Sequence, residues 1–503
     1  MVVRRVICME LQFNKEVCSC LRRLVDRSLA QEQTQEFRLP DGMPDIGRVL
    51  GAWGQVLIRS KEWRSGEMTI SGGVQAWALY QPEDGSEPRS IESWIPFQTK
   101  WEIPDAQRDG AVQVWPLLSG MDARCVSARK LLLRCGISVH GQALEPGTAE
   151  YYVPTQVPED VQTLTESYPV VLPKEAGEKA FVVQEELGLD GVVKQIIHYE
   201  VTPQLSEQRI LANRLVFRGG ILLHLLYMNG DNQICTWDTQ LAFSQFSDLD
   251  SDFGDQAFAN IRLITTAAEL EREEDGRWHI KCGIAAQYTV YERVIMDIVS
   301  DVYSLRRPVK MQKQELRIPA KLEDQTEGMT IHADWSGEYK DLLDAVWFCE
   351  HPQINKSGDR VQFKIPGHFQ VLYRDGDGEV QGTVVKSESN WETDSDRENL
   401  LQLYWQKEAL STELGAGQIG LRQAVRMQME VFADGSLSAV SALEFGEEQE
   451  PDTDRPSVIL KRAGGSQLWD VAKACGSTVE AIRSANDLDD DPEADRLLLI
   501  PVI

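Results

Sequence analysis

The chain has no long apolar run. No segment approaches the roughly 20 apolar residues that cross a bilayer as a helix. The densest stretch, LVFRGGILLHLLYM from Leu215, is interrupted by Arg218 and His224 and reads as two strands around a glycine pair. The first twenty residues, MVVRRVICMELQFNKEVCSC, set Glu10, Lys15 and Glu16 among their apolar positions, so the uninterrupted core of a signal peptide is missing and a cytoplasmic protein without membrane insertion is expected. Positive charge is also scarce. With 51 Lys and Arg against 79 Asp and Glu, the net charge is −28. A surface of that sign repels phosphate backbones, and no basic stripe offsets it, so nucleic acid is excluded as a partner. Cysteine is sparse and scattered: nine residues, an odd number, form no disulfide framework and read as reduced thiols.

Catalytic signatures are missing as well. No H-E-x-x-H, G-x-x-x-x-G-K-[ST] or G-x-S-x-G occurs, and the seven histidines are dispersed. Gly415-Ala416-Gly417-Gln418-Ile419-Gly420 fits G-x-G-x-x-G. A strand rather than a helix follows it, so it reads as a turn and not a phosphate cradle. Asp248-Leu249-Asp250-Ser251-Asp252-Phe253-Gly254 imitates a calcium loop but has Phe253 at the sixth position and Ala259 at the twelfth. Asp489-Asp490-Asp491 offers fewer ligands still, and Cys18-Ser19-Cys20 with Cys8 lacks the second ligand pair of a zinc site. No catalytic residue, cofactor or metal ligand set is assigned.

What is present is a repeat. At 503 residues, with 42% apolar and 26% charged residues, the composition is that of a folded chain, too long for one core. Gly72-Gly73-Val74-Gln75-Ala76-Trp77-Ala78-Leu79-Tyr80 recurs 147 residues later as Gly219 to Tyr227, and again as Gly367 to Tyr373. The same register relates Val49-Leu50 to Ile196-Ile197 and Leu342-Leu343. After each tyrosine comes a turn-rich loop, QPEDGSEP, MNGDN or RDGDGEV, which predicts a hairpin at the same place in every copy. The recurring Trp77, Tyr80, Tyr227 and Tyr373 read as core. Alternating or β-rich runs from Leu131, Trp278 and Val425 add late strands, and Ala433-Asp434-Gly435-Ser436 predicts a further hairpin.

The expectation is a mainly β protein: a helical segment over 1–32, carried by Val17, Leu21, Leu24, Val25 and Leu29, then antiparallel sandwich-type domains over 33–150, 180–306 and 328–447. Polar linkers are expected at 158–179, 306–328 and 446–456.

From 456 to 503 the pattern changes to strand, helix, helix, strand. VILKRA is strand-like, Ser466 is placed to cap LWDVAKAC, Gly476 ends that helix, Ser477 or Thr478 starts VEAIRSAN, and LLLIP closes the module. The pieces LWDVAKACGSTVEAIRSAN and LLLIP resemble a LysM domain. Ala463-Gly464-Gly465-Ser466-Gln467 replaces that family's Gly-Asp-Thr run, which favours a protein partner over a glycan. QEFRLPDGMPDIGRVL (35–50) and ISGGVQAWALY (70–80) resemble SPOCS domains, and SPOCS domains followed by LysM resemble the SipL family of spore coat morphogenetic proteins. That resemblance implies a non-enzymatic scaffold in the mother cell, at the forespore surface. It would bind the coat morphogenetic ATPase, stage IV sporulation protein A, or another coat protein through its LysM module. Gln467, Leu468, Trp469, Asp470, Asn486 and Asp487 are the candidate contacts. The alternatives are a peptidoglycan or N-acetylglucosamine binder and a cell-wall hydrolase.

Overall fold

A computed structural model describes residues 12–189, 193–274, 276–318, 320–357, 360–394, 400–432, 436–449, 455–462, 467–488 and 496–503. The protein is mainly β, in several antiparallel sheets. One six-strand plan occurs three times. Unit A holds β1 (Gln12–Arg38), β2 (Ile46–Arg64), β3 (Glu67–Pro82), β4 (Arg89–Glu102), β5 (Ala111–Ser127) and β6 (Lys130–Gln156). They form two sheets, ordered β1-β6-β5 and β2-β3-β4. The sheets face each other: a Cβ at Gly141 in β6 would lie 3.0 to 3.3 Å from Met68, Trp101 and Ile70 side-chain atoms of the other sheet.

Unit B repeats the plan with β7 (Val161–Leu187), β8 (Val193–Leu211), β9 (Arg214–Asn229), β10 (Ile234–Asp248), β11 (Phe258–Arg272) and β12 (Trp278–Ser304). Unit C divides its first, second and last strands. It comprises β13 (Val309–Arg317), β14 (Lys321–Ser336), β15 (Asp341–Cys349), β16 (Gln353–Ser357), β17 (Arg360–Arg374), β18 (Val380–Asp394), β19 (Leu400–Gly415), β20 (Gln418–Phe432) and β21 (Ser436–Phe445).

The expected hairpins join β3 to β4, β9 to β10 and β17 to β18. Gly85 and Gly378 there have positive φ, as does Asn232, and Trp77 and Tyr80 are buried in the core. The repeated first glycine has a steric cause. A Cβ at Gly72 would lie 2.2 Å from the Leu57 carbonyl oxygen, at Gly219 2.0 Å from that of Gln204, and at Gly367 2.6 Å from that of Phe348. Gly73 and Gly220 leave room for Trp94 and Gln240 to lie across the strand. Gly415 and Gln418 close the β19–β20 hairpin with Gly417 at φ 74°, so the G-x-G-x-x-G segment is indeed a turn.

Four expectations are corrected. Residues 12–38 form a strand, not a helix. Val17, Leu21, Val25 and Leu29 are four apart, which is also two strand periods, and backbone pairing with β6 decides the matter. The 158–179 segment is largely β7, in which Pro169 and Pro173 stand opposite Ile295 and Tyr291 of β12, with a register shift beside Pro173. The 306–328 segment contains β13 and the start of β14, so the domain starts set at 33, 180 and 328 cut into the first strand of every unit. Finally, β20 and β21 do not pair with each other as a hairpin. β20 pairs with β14 and β19, and β21 with β13.

Long first and last strands give each unit a two-stranded arm beyond its sheets: 12–23 with 144–156, 161–173 with 291–304, and β13 with β21. The three arms pack together. Cys20 and Tyr151, Leu172 and Met296, and Leu316 and Ala439 share one buried cluster. The sheets also share cores across units: the cluster holding Trp53 and Ile137 of unit A includes Phe217 of unit B and Phe348 of unit C.

Where arms meet sheets, a buried polar network links the units. Glu430 of unit C pairs with Lys321 at 3.1 Å and with Arg262 of unit B at 2.6 Å. The Arg262 guanidinium lies 3.3 Å from the Tyr404 ring centroid and 4.5 Å from that of Trp115 of unit A. Buried charges persist only when paired in this way.

The C-terminal module follows as β22 (Val458–Arg462), α1 (Leu468–Cys475), α2 (Val479–Asn486) and β23 (Leu497–Pro501), with β22 antiparallel to β23. Gly476 ends α1 in the left-handed conformation, and the Thr478 hydroxyl caps α2 by accepting from the Ala481 amide at 3.0 Å. Gln467 occupies the N-cap of α1 without a side-chain cap bond, and Ser466 lies outside the described residues. Asp489-Asp490-Asp491, Cys8 and the Ala433-Asp434-Gly435 turn also lie outside them. Among the described residues no helix is long and apolar enough to cross a membrane, and the eight described cysteines are all unpaired.

Candidate functional site

The six residues expected to contact a partner do not form one exposed face. Leu468 is buried in the module core. Trp469 is 8% exposed: its ring meets Tyr303 of unit B edge-on at 4.8 Å, and its indole N–H donates to Asp301 at 2.7 Å. Lys473 donates to the same carboxylate at 2.7 and 2.8 Å, and the Tyr303 hydroxyl donates to the Ser477 carbonyl at 2.8 Å. Burial opposes the Asp301 charge, but Lys473 and Trp469 outweigh it and hold the carboxyl below its usual range. Trp469 therefore seats the module on the unit B arm.

Asn486 is a clamp. Its side chain donates to the Ile482 and Leu499 carbonyls at 2.8 and 2.6 Å and accepts from the Leu499 amide at 2.8 Å, fixing α2 to β23. Asp487 ends α2 in the left-handed conformation. Gln467, Asp470 and Asp487 are exposed.

A different face of the module is open and apolar. Val458 and Leu460 of β22 and Leu497 and Leu499 of β23 are 44%, 66%, 57% and 39% exposed. Leu460 lies directly opposite Leu499, so the four residues form one sheet face, with alternate residues such as Leu498 and Ile500 pointing into the core.

The second constellation lies where the three units meet. Each second strand carries a bulge at the same repeat position: between Val49 and Gly51, Ile196 and His198, and Leu342 and Asp344. Bulges re-aim the residue that follows. His198 donates through Nε2 to Asp344 Oδ2 at 2.9 Å, and His224 donates through Nε2 to Asp344 Oδ1 at 2.9 Å. His224 Nδ1 lies 2.6 Å from Asp238, and the His198 ring stacks on Trp53 of unit A at 4.6 Å.

His198 and Asp344 are buried, whereas the His224 side chain is 25% exposed. Burial penalises the Asp344 carboxylate, yet His224 and His198 draw it well below its usual range. Burial also opposes a charged His224, but Asp344 and Asp238 outweigh it and raise the imidazole to about 11. Burial lowers His198 despite its bond to Asp344. One ligand atom each from His198, His224 and Asp344 lie within 4.8 Å of one another.

Sequence reasoning missed this cluster because its members lie on β8, β9 and β15, dispersed along the chain. The available signal was the repeat register: the positions after Leu50, Ile197 and Leu343 are Gly51, His198 and Asp344. Between units A and B lies a cleft of about 1090 Å³ lined by Arg59, Gln75, Glu92, Trp94 and Glu269 among others, with no His or Cys in its wall. Comparison of the chain with protein-family models, curated proteins and solved structures found no match.

Proposed function

We propose that this chain is a non-catalytic scaffold of bacterial spore formation, a SPOCS and LysM protein of the SipL type, working in the mother cell at the forespore surface. Its C-terminal module would engage the coat morphogenetic ATPase, stage IV sporulation protein A, or another coat protein. The observation that carries the reading is the open apolar face of Val458, Leu460, Leu497 and Leu499. Apolar sheet faces left in water mark protein contacts more than glycan sites. Resemblance of residues 35–50, 70–80 and 468–501 to the two domain types supplies the partner class.

Trp469 is occupied by Asp301, so the contact is assigned to the β22–β23 face and not to the start of α1. The test is capture of the ATPase and of purified peptidoglycan by the full chain, intact and with Leu460→Glu. Burying a charge in an interface of this kind costs above 1 kcal/mol, so a loss of ATPase capture of about tenfold or more is expected, without change in unfolding temperature. Saturable peptidoglycan binding without ATPase capture would overturn the reading in favour of a wall-binding protein.

A further inference from the structure

We infer that His198, His224 and Asp344 form a binding site for one divalent transition-metal ion, of the zinc class, which ties units B and C together. Two imidazoles and a carboxylate are the donor set zinc prefers when no thiolate is present. The three ligands come from strands of two units. His198 and His224 are on β8 and β9 of unit B, and Asp344 is on β15 of unit C. An ion held by them would act as a cross-link between packed domains.

Four features converge on an ion. The ligand atoms are already gathered: both Nε2 atoms lie 2.9 Å from the Asp344 carboxylate, and an ion at the usual 2.0 to 2.2 Å from each would take the place of the protons they now share with it, which pass to solvent. The outer shell is in place, since Asp238 holds His224 Nδ1 at 2.6 Å. That is the carboxylate–imidazole–metal relay that orients a ligating histidine and makes it a better donor.

The charge is suited to a cation, because Asp344 and Asp238 converge on one partly open imidazole. There is also a route of entry. His198 and Asp344 are sealed, while the His224 side chain is a quarter exposed, so an ion would reach the site past the His224 ring.

The residues at the bulges explain why the set forms between units B and C. Each second strand bulges at the same point, but unit A presents Gly51 there, and Trp53 of that unit covers the His198 ring instead. The same repeat position that offers His198 and Asp344 in two units is thus cleared in the third.

The experiment uses the full chain, stripped with a chelator and dialysed, titrated with Zn²⁺ by calorimetry and with Co²⁺ by visible absorption. One equivalent of Zn²⁺ should bind, and saturation should raise the unfolding midpoint by roughly 2 °C or more. The Co²⁺ complex should show d–d bands without thiolate charge transfer. His224→Ala should weaken binding by about 100-fold or more, and Asp238→Asn by about 10- to 100-fold.

Absence of a one-equivalent site in the intact chain would overturn the inference and leave a hydrogen-bonded ion cluster. So would thiolate charge transfer, which would place the ion on cysteines, or unchanged affinity in His224→Ala. Asp344→Asn is a further ligand test. If it fails to fold, the intact chain and His224→Ala still decide the matter, because the His224 side chain lies at the open edge.

Discussion

At the scale of single residues, the repeat is written in its glycines. Gly72, Gly219 and Gly367 face carbonyl oxygens of β2, β8 and β15 in turn, at distances no Cβ tolerates. Gly328, in contrast, has open space where a Cβ would stand. Gly72→Ala or Gly219→Ala should therefore destabilise by about 1–3 kcal/mol through overpacking. Gly328→Ala should be neutral or stabilise by up to about 1 kcal/mol. Urea unfolding midpoints of the three variants check this, and equal losses in all three would count against the steric account. The glycines were legible in sequence because a close backbone approach is a local demand. Trp469 was legible as a contact but not as an internal one, because Asp301 and Tyr303 lie more than 160 residues away.

At the scale of elements, the long first and last strands do two jobs, closing a sheet at one end and an arm at the other. The hairpins between third and fourth strands were readable from Asp-Gly and Asn-Gly turns. The arms were not, since their prolines and charges mimic linkers and their partners lie over a hundred residues on. At the base of the arms, Glu430 offers a pH test. Burial works against its charge, but Arg262 and Lys321 hold its carboxyl down to about 2, below the ordinary 4.5. A depressed carboxyl stabilises the fold fully above its unfolded value and loses that contribution as pH falls from about 4.5 toward 2. The loss should be about 3 kcal/mol. Glu430→Gln should destabilise at pH 7 by about 3–5 kcal/mol, since it leaves Arg262 and Lys321 buried without their anion. It should also flatten the acid limb of stability, as followed by urea unfolding between pH 7 and 3.

At the scale of the whole molecule, the three units do not stand apart as beads. One buried cluster contains Trp53, Phe217 and Phe348, one from each unit, and a second joins all three arms. Unfolding of residues 12–445 should therefore be one cooperative event. Calorimetry should give an enthalpy matching the van't Hoff value, whereas three resolved transitions would mean that the shared cores contribute little. That dependence was hidden in the sequence, where copy number and register could be counted but not the faces turned toward one another.

The repeated bulge carries a broader consequence. Three separate identical chains gathered around a common centre would present the same side chain there three times over, and any change would be tripled. Joining the copies into one polypeptide frees each to diverge alone. Gly51, His198 and Asp344 record that freedom: a centre that symmetry would have made uniform holds three different chemistries, with one stoichiometric occupant's worth of ligands per molecule.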